Sequence, residues 1–452
     1  MATRPTGNSS PPPPSPSSVS QPIFWLSPSG SANLPPATCH LKPVSPLTAD
    51  PEPIASDSAL GRVAAEDILA PHPLPEFPRA TVDGYAVRAQ DTFGASDSLP
   101  AYLHLIGEVP MGEPPSFDIG PGQCALIHTG GMIPKGADAV VMLEYTQQTS
   151  ELSKDFGSLN DEIEIFKPVA DGENIIRIGE DVAKGQIVIP KGATLRPAEI
   201  GGLMALGITS LRVARLAKVG LISTGDEVIE PGQRPQPGQV RDVNTYTLGA
   251  LIEKSGGVAI RYGIFGDQFE ALKEAAAKAL SECDVVVITA GSSASARDMT
   301  AEVIRQLGGP GVLVHGINTR PGKPTILGVC DGKAVIGLPG NPVSALVNGY
   351  LFVVPVIEKL LGALPRPKPT VQAKLTVNLP SQAGREDWWA VRLIGDRQYP
   401  SGTMSSIVNY LAEPIFGKSN LIFTLAAGDG LLKIHPDATG LSAGEIVEVM
   451  LI

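Results

Sequence analysis

Short apolar runs, separated by glycine and proline, occupy the first half of the chain. The runs between residues 76 and 174 have the spacing of strands and predict a small β-rich domain, with strands at 101–109, 123–127, 139–143 and 162–166. Farther along, residues 186–189 predict a strand and residues 197–206 predict a helix. Residues 59–70 instead show the apolar spacing of a helix that Pro71 and Pro73 would end.

Strand-like and helix-like segments alternate between residues 213 and 364. Strands are predicted at 218–223, 258–265, 283–289 and 334–338, and each is followed by a helical pattern. Residues suited to begin these helices are Asp242, Asp267, Asp298 and Asn341. The alternation predicts an α/β domain with a parallel, right-handed sheet whose functional loops lie at the carboxyl ends of the strands. After residue 365 the pattern is again that of strands, as in a small barrel or sandwich.

Composition and charge narrow the class of protein. Residues 1–35 are rich in Pro and Ser and predict a disordered tail. The formal net charge of −11 argues against nucleic acid as the main ligand, because phosphate neutralisation needs a basic surface. Four cysteines without a C-x-x-C pair indicate thiols in a reducing cytosol. No apolar run approaches the ~20 residues that span a membrane, and no secretion signal is evident, so we expect a cytoplasmic protein.

Three loops rich in small residues follow predicted strands of the α/β segment, at 223–227, 290–298 and 338–344. Small residues before a helix let backbone N–H groups approach a phosphate, and the helix dipole favours the anion. Any one of these loops also fits an ordinary strand-to-helix turn, but three in one parallel sheet favour phosphate binding. None is a Walker A or G-x-G-x-x-G motif, which disfavours a standard NTPase or dehydrogenase.

Fixed charges accompany these loops. The segment R-P-G-K-P at 320–324 presents two cations around a turn, which suits an oxyanion, although a solvated turn is the alternative. Carboxylates at element boundaries suit Mg²⁺, which commonly bridges carboxylates to substrate phosphates; they are Asp83, Asp181, Glu227, Asp267 and Asp298. Asp267 and Asp298 equally suit helix caps, and Asp267 with Glu270 resembles a capping box.

Seven motifs, in order along the chain, resemble those of the molybdopterin molybdenumtransferase family, which includes MoeA and the gephyrin E domain. They are LGRVAAEDI (60–68), ATVDGYAV (80–87), HTGGMIPKGADAVVMLE (128–144), GENIIRIGEDV (172–182), STGDEV (223–228), RPGKP (320–324) and GLPGNPVSA (337–345). The resemblance extends from about residue 59 to the C-terminus and is highly specific, because the motifs are numerous and collinear.

The resemblance implies an elongated, four-domain cytoplasmic homodimer that inserts molybdate into adenylylated molybdopterin, releases AMP and depends on Mg²⁺. Its domains would be a linker and dimer domain at 36–75 and 175–212, a β-rich domain at 76–174, a molybdopterin-binding α/β domain at 213–364 and a C-terminal β domain at 365–452. The active site would lie between the α/β domain of one subunit and the β-rich domain of the other.

The same resemblance assigns roles to residues. The implied catalytic positions are Asp83, Thr129, Asp181, Glu227, Asp267 and Asp298, of which Glu227, Asp267 and Asp298 would hold Mg²⁺. The implied positions for substrate and molybdate are Ser293, Arg320, Lys323, Pro324 and Ser419. Ser401 is the alternative to Ser419 as the site serine of the C-terminal domain.

The chain departs from the family pattern around the molybdate site. Arg320 replaces the first lysine of K-P-G-K-P, which keeps the charge and changes its geometry. Residues 290–295 read AGSSAS where the family has G-G-x-S-x-G, and Ala390 replaces a common arginine. These departures leave the choice between molybdate and tungstate open.

Two other functions fit parts of the sequence. The adenylyltransferase of the preceding step shares the α/β domain, but it needs neither β-rich segment. A non-catalytic scaffold, as the gephyrin E domain also is, could retain the carboxylates as well.

Overall fold

The computed structural model of the chain describes residues 47, 50–149, 162–290, 294–395 and 410–452, without the side chains of 294–297. These residues form two compact units. The N-terminal unit comprises Pro46–Leu216 with Ile357–Pro367, and the C-terminal unit comprises Ala217–Val356 with Lys368–Ile452. The predicted tail, Ser293 and Ser401 lie outside the described residues, and the division into four domains stays a prediction.

Besides three 3-10 helices (Ser56–Ser58, Ala89–Thr92 and Leu143–Tyr145), the described part of the N-terminal unit contains short strands and one complete α-helix. They are β1 (Pro51–Ala55), β2 (Ile68–Leu69), β3 (Arg79–Ala80), β4 (Gly84–Val87), β5 (Ala101–Glu108), β6 (Gln123–Ile127), β7 (Ala139–Met142), β8 (Thr146–Gln148), β9 (Glu162–Ile165), β10 (Ile175–Ile176), β11 (Ile187–Ile189), α1 (Pro197–Ala205) and β12 (Ser210–Ala214). A six-stranded sheet has the order β7-β4-β6-β5-β9-β8. This confirms the four strands predicted between residues 76 and 174.

Gly84 explains how β4 fits between β6 and β7. A Cβ atom at this position would lie 1.9 Å from the carbonyl oxygen of Val141, which is closer than atoms can approach. Only glycine therefore allows β4 to pair on both sides.

The helix predicted at residues 59–70 is wrong. Val63 bridges to Thr194, Ala64 bridges to Val213, and β2 pairs with β11. The apolar spacing arises because these residues enter a small core built with segments more than 100 positions farther along the chain.

The C-terminal unit begins with an α/β region that contains a six-stranded sheet. Its elements are β13 (Ala217–Thr224), β14 (Val228–Ile229), β15 (Val240–Arg241), α2 (Asn244–Lys254), β16 (Gly257–Phe265), α3 (Phe269–Glu282), β17 (Val285–Ala290), α4 (Ala294–Leu307), β18 (Pro310–His315), β19 (Thr319–Arg320), β20 (Ile326–Cys330), β21 (Lys333–Pro339), α5 (Pro342–Asn348) and α6 (Val354–Leu360). The sheet has the order β16-β13-β17-β21-β20-β18.

The prediction of a parallel sheet is correct for part of this sheet. β16, β13, β17 and β21 are parallel, whereas β20 is antiparallel to β21 and β18 is antiparallel to β20. The β20–β21 pair is antiparallel because a tight turn at Asp331 and Gly332 joins the two strands directly, without a crossover helix.

Three predicted helix starts differ from the structure: Asp242 lies one residue before the N-cap position of α2, which is Val243, and Asp267 and Asp298 are also displaced from the starts of their helices. α3 begins at Phe269 with Gln268 at the N-cap position, so Asp267 precedes the cap. α4 begins at Ala294, so Asp298 lies in its second turn rather than at its start. Asn341 is the N-cap of α5, as predicted, and the carboxylate of Asp242 accepts a hydrogen bond from the backbone N–H of Thr245 in the first turn of α2 (3.2 Å).

The chain ends in a closed five-stranded barrel, which confirms one of the two predicted forms. Its elements are β22 (Thr370–Leu375), β23 (Leu379–Pro380), β24 (Glu386–Gly395), β25 (Tyr410–Pro414), α7 (Ile422–Ala426), β26 (Gly430–Ile434), β27 (Gly440–Leu441) and β28 (Ile446–Leu451). The barrel strands follow the order β24-β25-β22-β28-β26, and β26 pairs with β24 to close it. β19 pairs in parallel with the first two residues of β24.

One helical stretch among the described residues, Pro342–Leu360, is long and apolar enough to cross a bilayer. However, 61% of its apolar window is buried inside the protein, as is common for a core helix. Cys124, Cys283 and Cys330 are buried free thiols, as the sequence predicts for these three.

Candidate functional site

The carboxyl ends of four parallel strands meet at one edge of the α/β sheet. β16, β13, β17 and β21 are adjacent and point the same way, so the loops that follow them lie at this edge. The three small-residue loops predicted from the sequence follow β13, β17 and β21. The second of these loops lies partly outside the described residues.

An acidic cluster lies where the loops after β13 and β16 meet. The backbone N–H of Asp267 donates to Oδ1 of Asp226 at 3.0 Å. Partial burial, and then the charges of Asp226 and Glu227, raise the pKa of the Asp267 carboxyl. Like charges held together in this way favour a cation between them.

This cluster fits Mg²⁺ as a partial ligand set. Among the described residues no three or more His, Cys, Asp or Glu side chains converge as a metal site. Mg²⁺ is often held by one or two carboxylates together with substrate phosphates, and Glu227 and Asp267 supply that number. Asp298 is exposed on α4, and its part in metal binding stays a prediction.

The R-P-G-K-P turn is held against helix α5. The side-chain amide of Asn348 donates to the carbonyl of Pro321 at 3.1 Å and to the carbonyl of Ser344 at 2.7 Å. Gly322 has φ +120°, and a Cβ atom here would lie 1.9 Å from the Asn348 amide nitrogen. The turn therefore requires glycine at its centre, and it leaves Arg320 and Lys323 exposed for an anion.

The loop after β21 connects this edge to other elements. The amide of Asn244, at the start of α2, donates to the carbonyl of Gly340 at 2.8 Å. The amide of Asn341 donates to Oγ of Ser419 at 3.0 Å, and the carbonyl of Ser419 accepts from the backbone N–H of Val343. The structure thus places Ser419 beside a predicted phosphate loop. Because Ser401 lies outside the described residues, the choice between the two serines stays a prediction.

Three buried polar atoms at this edge have no hydrogen-bond partner in the described part of the chain: Thr224 Oγ1, Asn244 Oδ1 and Asn348 Oδ1. Buried polar groups without partners are rare and are often found at binding sites. Neither asparagine was predicted from the sequence. An asparagine within the apolar run 343–353 is a signal that could have identified Asn348.

A second group of predicted residues lies in the N-terminal unit. Oδ1 of Asp83 accepts hydrogen bonds from the backbone N–H (2.7 Å) and hydroxyl (3.0 Å) of Thr129, and these bonds lower the pKa of the carboxyl. His128 lies 3.8 Å from the same carboxylate. Asp181 is exposed, and its backbone N–H donates to the carbonyl of Leu74. The structure therefore brings Asp83 and Thr129 together, and among the described residues neither forms a hydrogen bond or an ion pair with Asp181.

Three family models match successive parts of the chain. The MoeA N-terminal region (domains I and II) matches residues 36–207, a probable molybdopterin-binding domain matches 220–359, and the MoeA C-terminal region (domain IV) matches 372–452. The matches leave only short connections uncovered after residue 36.

Individual relatives match over most of their length. A putative molybdopterin biosynthesis protein of Methanocaldococcus jannaschii is 38% identical over 87% of this chain and 90% of its own. A molybdopterin molybdenumtransferase of Haemophilus influenzae is 37% identical over 76% of this chain and 81% of its own. The solved structure of a molybdopterin biosynthesis MoeA protein from Pyrococcus horikoshii has a TM-score of 0.74 and 35% identity over 89% of this chain and 95% of that one.

Proposed function

The chain belongs to the MoeA family of molybdenum cofactor biosynthesis enzymes, and we propose that it inserts molybdate into adenylylated molybdopterin, with release of AMP. The observation that carries this proposal is the arrangement at one edge of the α/β sheet. There, small-residue loops, two carboxylates and a glycine-centred turn with two cations come from separate parts of the chain. These groups match the phosphates, Mg²⁺ and oxyanion of the proposed reaction.

Each group has a part in the proposed reaction. The backbone N–H groups of the loops bind the phosphates of the pterin substrate, because they lie before helix starts. Arg320 and Lys323 bind molybdate as exposed cations of a fixed turn, beside Pro324. Glu227 and Asp267 would hold Mg²⁺, whose charge would offset that of the substrate phosphates. Asp298, Ser293 and Ser419 complete the substrate contacts in this proposal.

The remaining groups come from the N-terminal unit. Asp83, which accepts two hydrogen bonds from Thr129, and Asp181 complete the active site in this proposal, and the family arrangement supplies them from a second subunit of a cytoplasmic homodimer. Thr129 fixes the Asp83 carboxylate by two hydrogen bonds, so this charge is oriented before substrate arrives.

The other functions are weaker explanations of the chain. An adenylyltransferase would not account for the matched MoeA regions on both sides of the α/β domain. A scaffold has no need for like-charged carboxylates held together, whereas an enzyme that uses Mg²⁺ does.

AMP release tests the proposal. Micromolar protein is mixed with adenylylated molybdopterin and Mg²⁺, with molybdate, with tungstate or with neither oxyanion. We expect molybdate to increase AMP release in the parent and in Glu230→Gln, an exposed control in the same loop region, but not in Glu227→Gln. AMP release that does not change when molybdate is added contradicts the proposal. Equal activity of Glu230→Gln and Glu227→Gln also contradicts it.

A further inference from the structure

A buried carboxylate lies directly beside the R-P-G-K-P turn. Asp387, near the start of barrel strand β24, has a side chain that is only 1% exposed. Arg385 holds it with two hydrogen bonds, from Nε to Oδ1 at 2.7 Å and from its terminal nitrogen to Oδ2 at 3.2 Å. The carboxylate is thus anchored on one side by a bidentate contact, the strongest form of such a pair.

Arg320 also lies near Asp387, on the same carboxylate oxygen that accepts from the terminal nitrogen of Arg385. The guanidinium of Arg320 lies 3.8 Å from Oδ2 of Asp387 and remains 56% exposed. The two residues are also register partners in the parallel ladder between β19 and β24. Backbone pairing and side-chain charge therefore both align the beginning of the turn with the barrel.

An aromatic ring completes the support of Arg320. The guanidinium carbon lies 5.6 Å from the ring centroid of Trp389, within the range of a cation–π contact. Trp389 in turn forms an edge-to-face pair with Phe416, with ring centroids 5.6 Å apart. Within the described part of the chain, Arg320 donates no side-chain hydrogen bond, and its side chain, at 56% exposure, remains accessible.

The charges around Asp387 leave a positive excess at the turn. Two guanidinium groups face one carboxylate, while the neighbouring Glu386 is paired separately with Lys433 at 2.7 Å and with the Trp388 indole. Because Arg385 already forms the close pair with Asp387, the carboxylate orients Arg320 without neutralising it. A guanidinium held this way is ready to bind a tetrahedral oxyanion.

We propose that Asp387 is a positioning residue that, with Trp389, orients the Arg320 guanidinium for molybdate. This inference rests on the proposed function, since molybdate is the oxyanion it names. It assigns to the C-terminal barrel an indirect part in anion affinity, through a residue that orients Arg320 and does not itself touch the anion.

The test compares Asp387→Asn with Glu413→Gln, a control that alters another arginine–carboxylate pair of the same barrel (Arg392 and Glu413, 3.7 Å). Equilibrium dialysis with sodium molybdate gives the Kd, and AMP release gives the KM for molybdate and kcat. We expect Asp387→Asn to raise both Kd and KM by about two- to fivefold with little change in kcat, because the ion pair that orients Arg320 is lost. Glu413→Gln should behave as the parent.

The Arg320→Ala background shows whether Asp387 acts through Arg320. In that background Asp387→Asn should raise the Kd no further, because coupled residues are not additive. An additive increase, or an unchanged Kd in Asp387→Asn alone, overturns the proposal.

A second variant keeps the test decisive if Asp387→Asn does not fold. Trp389→Phe retains the ring contact with Phe416 and weakens the contact with Arg320, so we expect a Kd about two- to threefold higher. An unchanged Kd in this variant, or a parent that binds no molybdate, overturns the proposal. A parent that binds molybdate with the predicted dependence on Asp387 but releases no AMP overturns the proposed function alone.

Discussion

At the scale of single residues, Asp267 separates a structural role from a functional one. A helix cap needs only a side-chain acceptor, but α3 begins beyond Asp267, and Gln268 occupies the cap position. The negative charges of Asp226 and Glu227 lie near the Asp267 carboxylate. A carboxyl group whose pKa is raised on folding destabilises the folded protein at pH values above that pKa, where the group is charged. The charge of Asp267 therefore lowers the stability of the folded protein at neutral pH.

Replacing Asp267 with asparagine should therefore leave stability intact and remove function. At neutral pH we expect the Tm of Asp267→Asn to equal or slightly exceed that of the parent, because a like-charge repulsion is removed. We expect most AMP release to be lost at low millimolar Mg²⁺, because asparagine lacks the charge that Mg²⁺ requires. Thermal unfolding and a Mg²⁺ titration of AMP release measure the two effects. Parental activity throughout the titration would remove Asp267 from the metal site.

Thr129 allows a test by pH. Its backbone N–H and then its hydroxyl lower the pKa of Asp83 below the ordinary value of 3.8. Such a carboxyl stabilises the folded state above pH 3.8, and the contribution is lost as the pH falls through the lowered pKa. In Thr129→Val the backbone bond remains and the hydroxyl bond is lost, so we expect the pKa of Asp83 to move partway back toward its ordinary value. Carbon-detected NMR titration of the carboxyl group measures it, and identical midpoints in parent and variant would show that the hydroxyl has no effect.

The residues that sequence reasoning missed are those whose role depends on distant partners. Asp387 stands between Glu386 and Trp388 with nothing local to distinguish it from its acidic neighbour, yet only Asp387 is fully buried and faces Arg320. The side-chain amides of Asn244 and Asn348 donate hydrogen bonds to the carbonyls of Gly340 and Pro321. Local sequence patterns do not show that these partners lie close to the two asparagines. The positions of the three loops were predictable, because each follows a strand of the α/β segment, whereas the binding roles of the loops and of the cations stay predictions.

At the scale of elements, local patterns predicted strands well where glycine and proline mark their ends. The prediction of a strand at 123–127 matches β6, and the alternation after residue 213 predicted β13, β16, β17 and β21 with their helices. Prediction failed at residues 59–70, where pairing with Thr194 and Val213 overrides the helical spacing. It also missed the antiparallel pairing of β20 with β21 and of β18 with β20 at one end of the sheet.

The glycine-centred turn gives an element-scale prediction. In Gly322→Ala the φ of +120° strains the backbone by about 1–2 kcal/mol, and the new Cβ displaces the Asn348 amide. Gly332→Ala is the matched control, because Gly332 also has a positive φ but a Cβ added there would have no atom within 4 Å. We expect Gly322→Ala to lose more stability in denaturant unfolding than Gly332→Ala, and also to lose molybdate affinity. Equal destabilisation of the two variants would show that Asn348 does not brace the turn.

At the scale of the whole molecule, the proposed active site requires two chains. The carboxylates and cations of the C-terminal unit and the Asp83–Thr129 pair of the N-terminal unit are both needed, and the proposal draws them from different subunits. We therefore expect light scattering at micromolar protein to give twice the 47.1 kDa mass of one chain. A fully active protein with the mass of a single chain would contradict the shared site.

The central claim is that AMP release and molybdenum insertion are one reaction. The most direct measurement is a single-turnover experiment that quantifies AMP and pterin-bound molybdenum in the same sample, with protein in excess over adenylylated molybdopterin. The account predicts equal amounts of the two products, both dependent on molybdate and both lost in Glu227→Gln. Release of AMP without molybdenum bound to the pterin would contradict it.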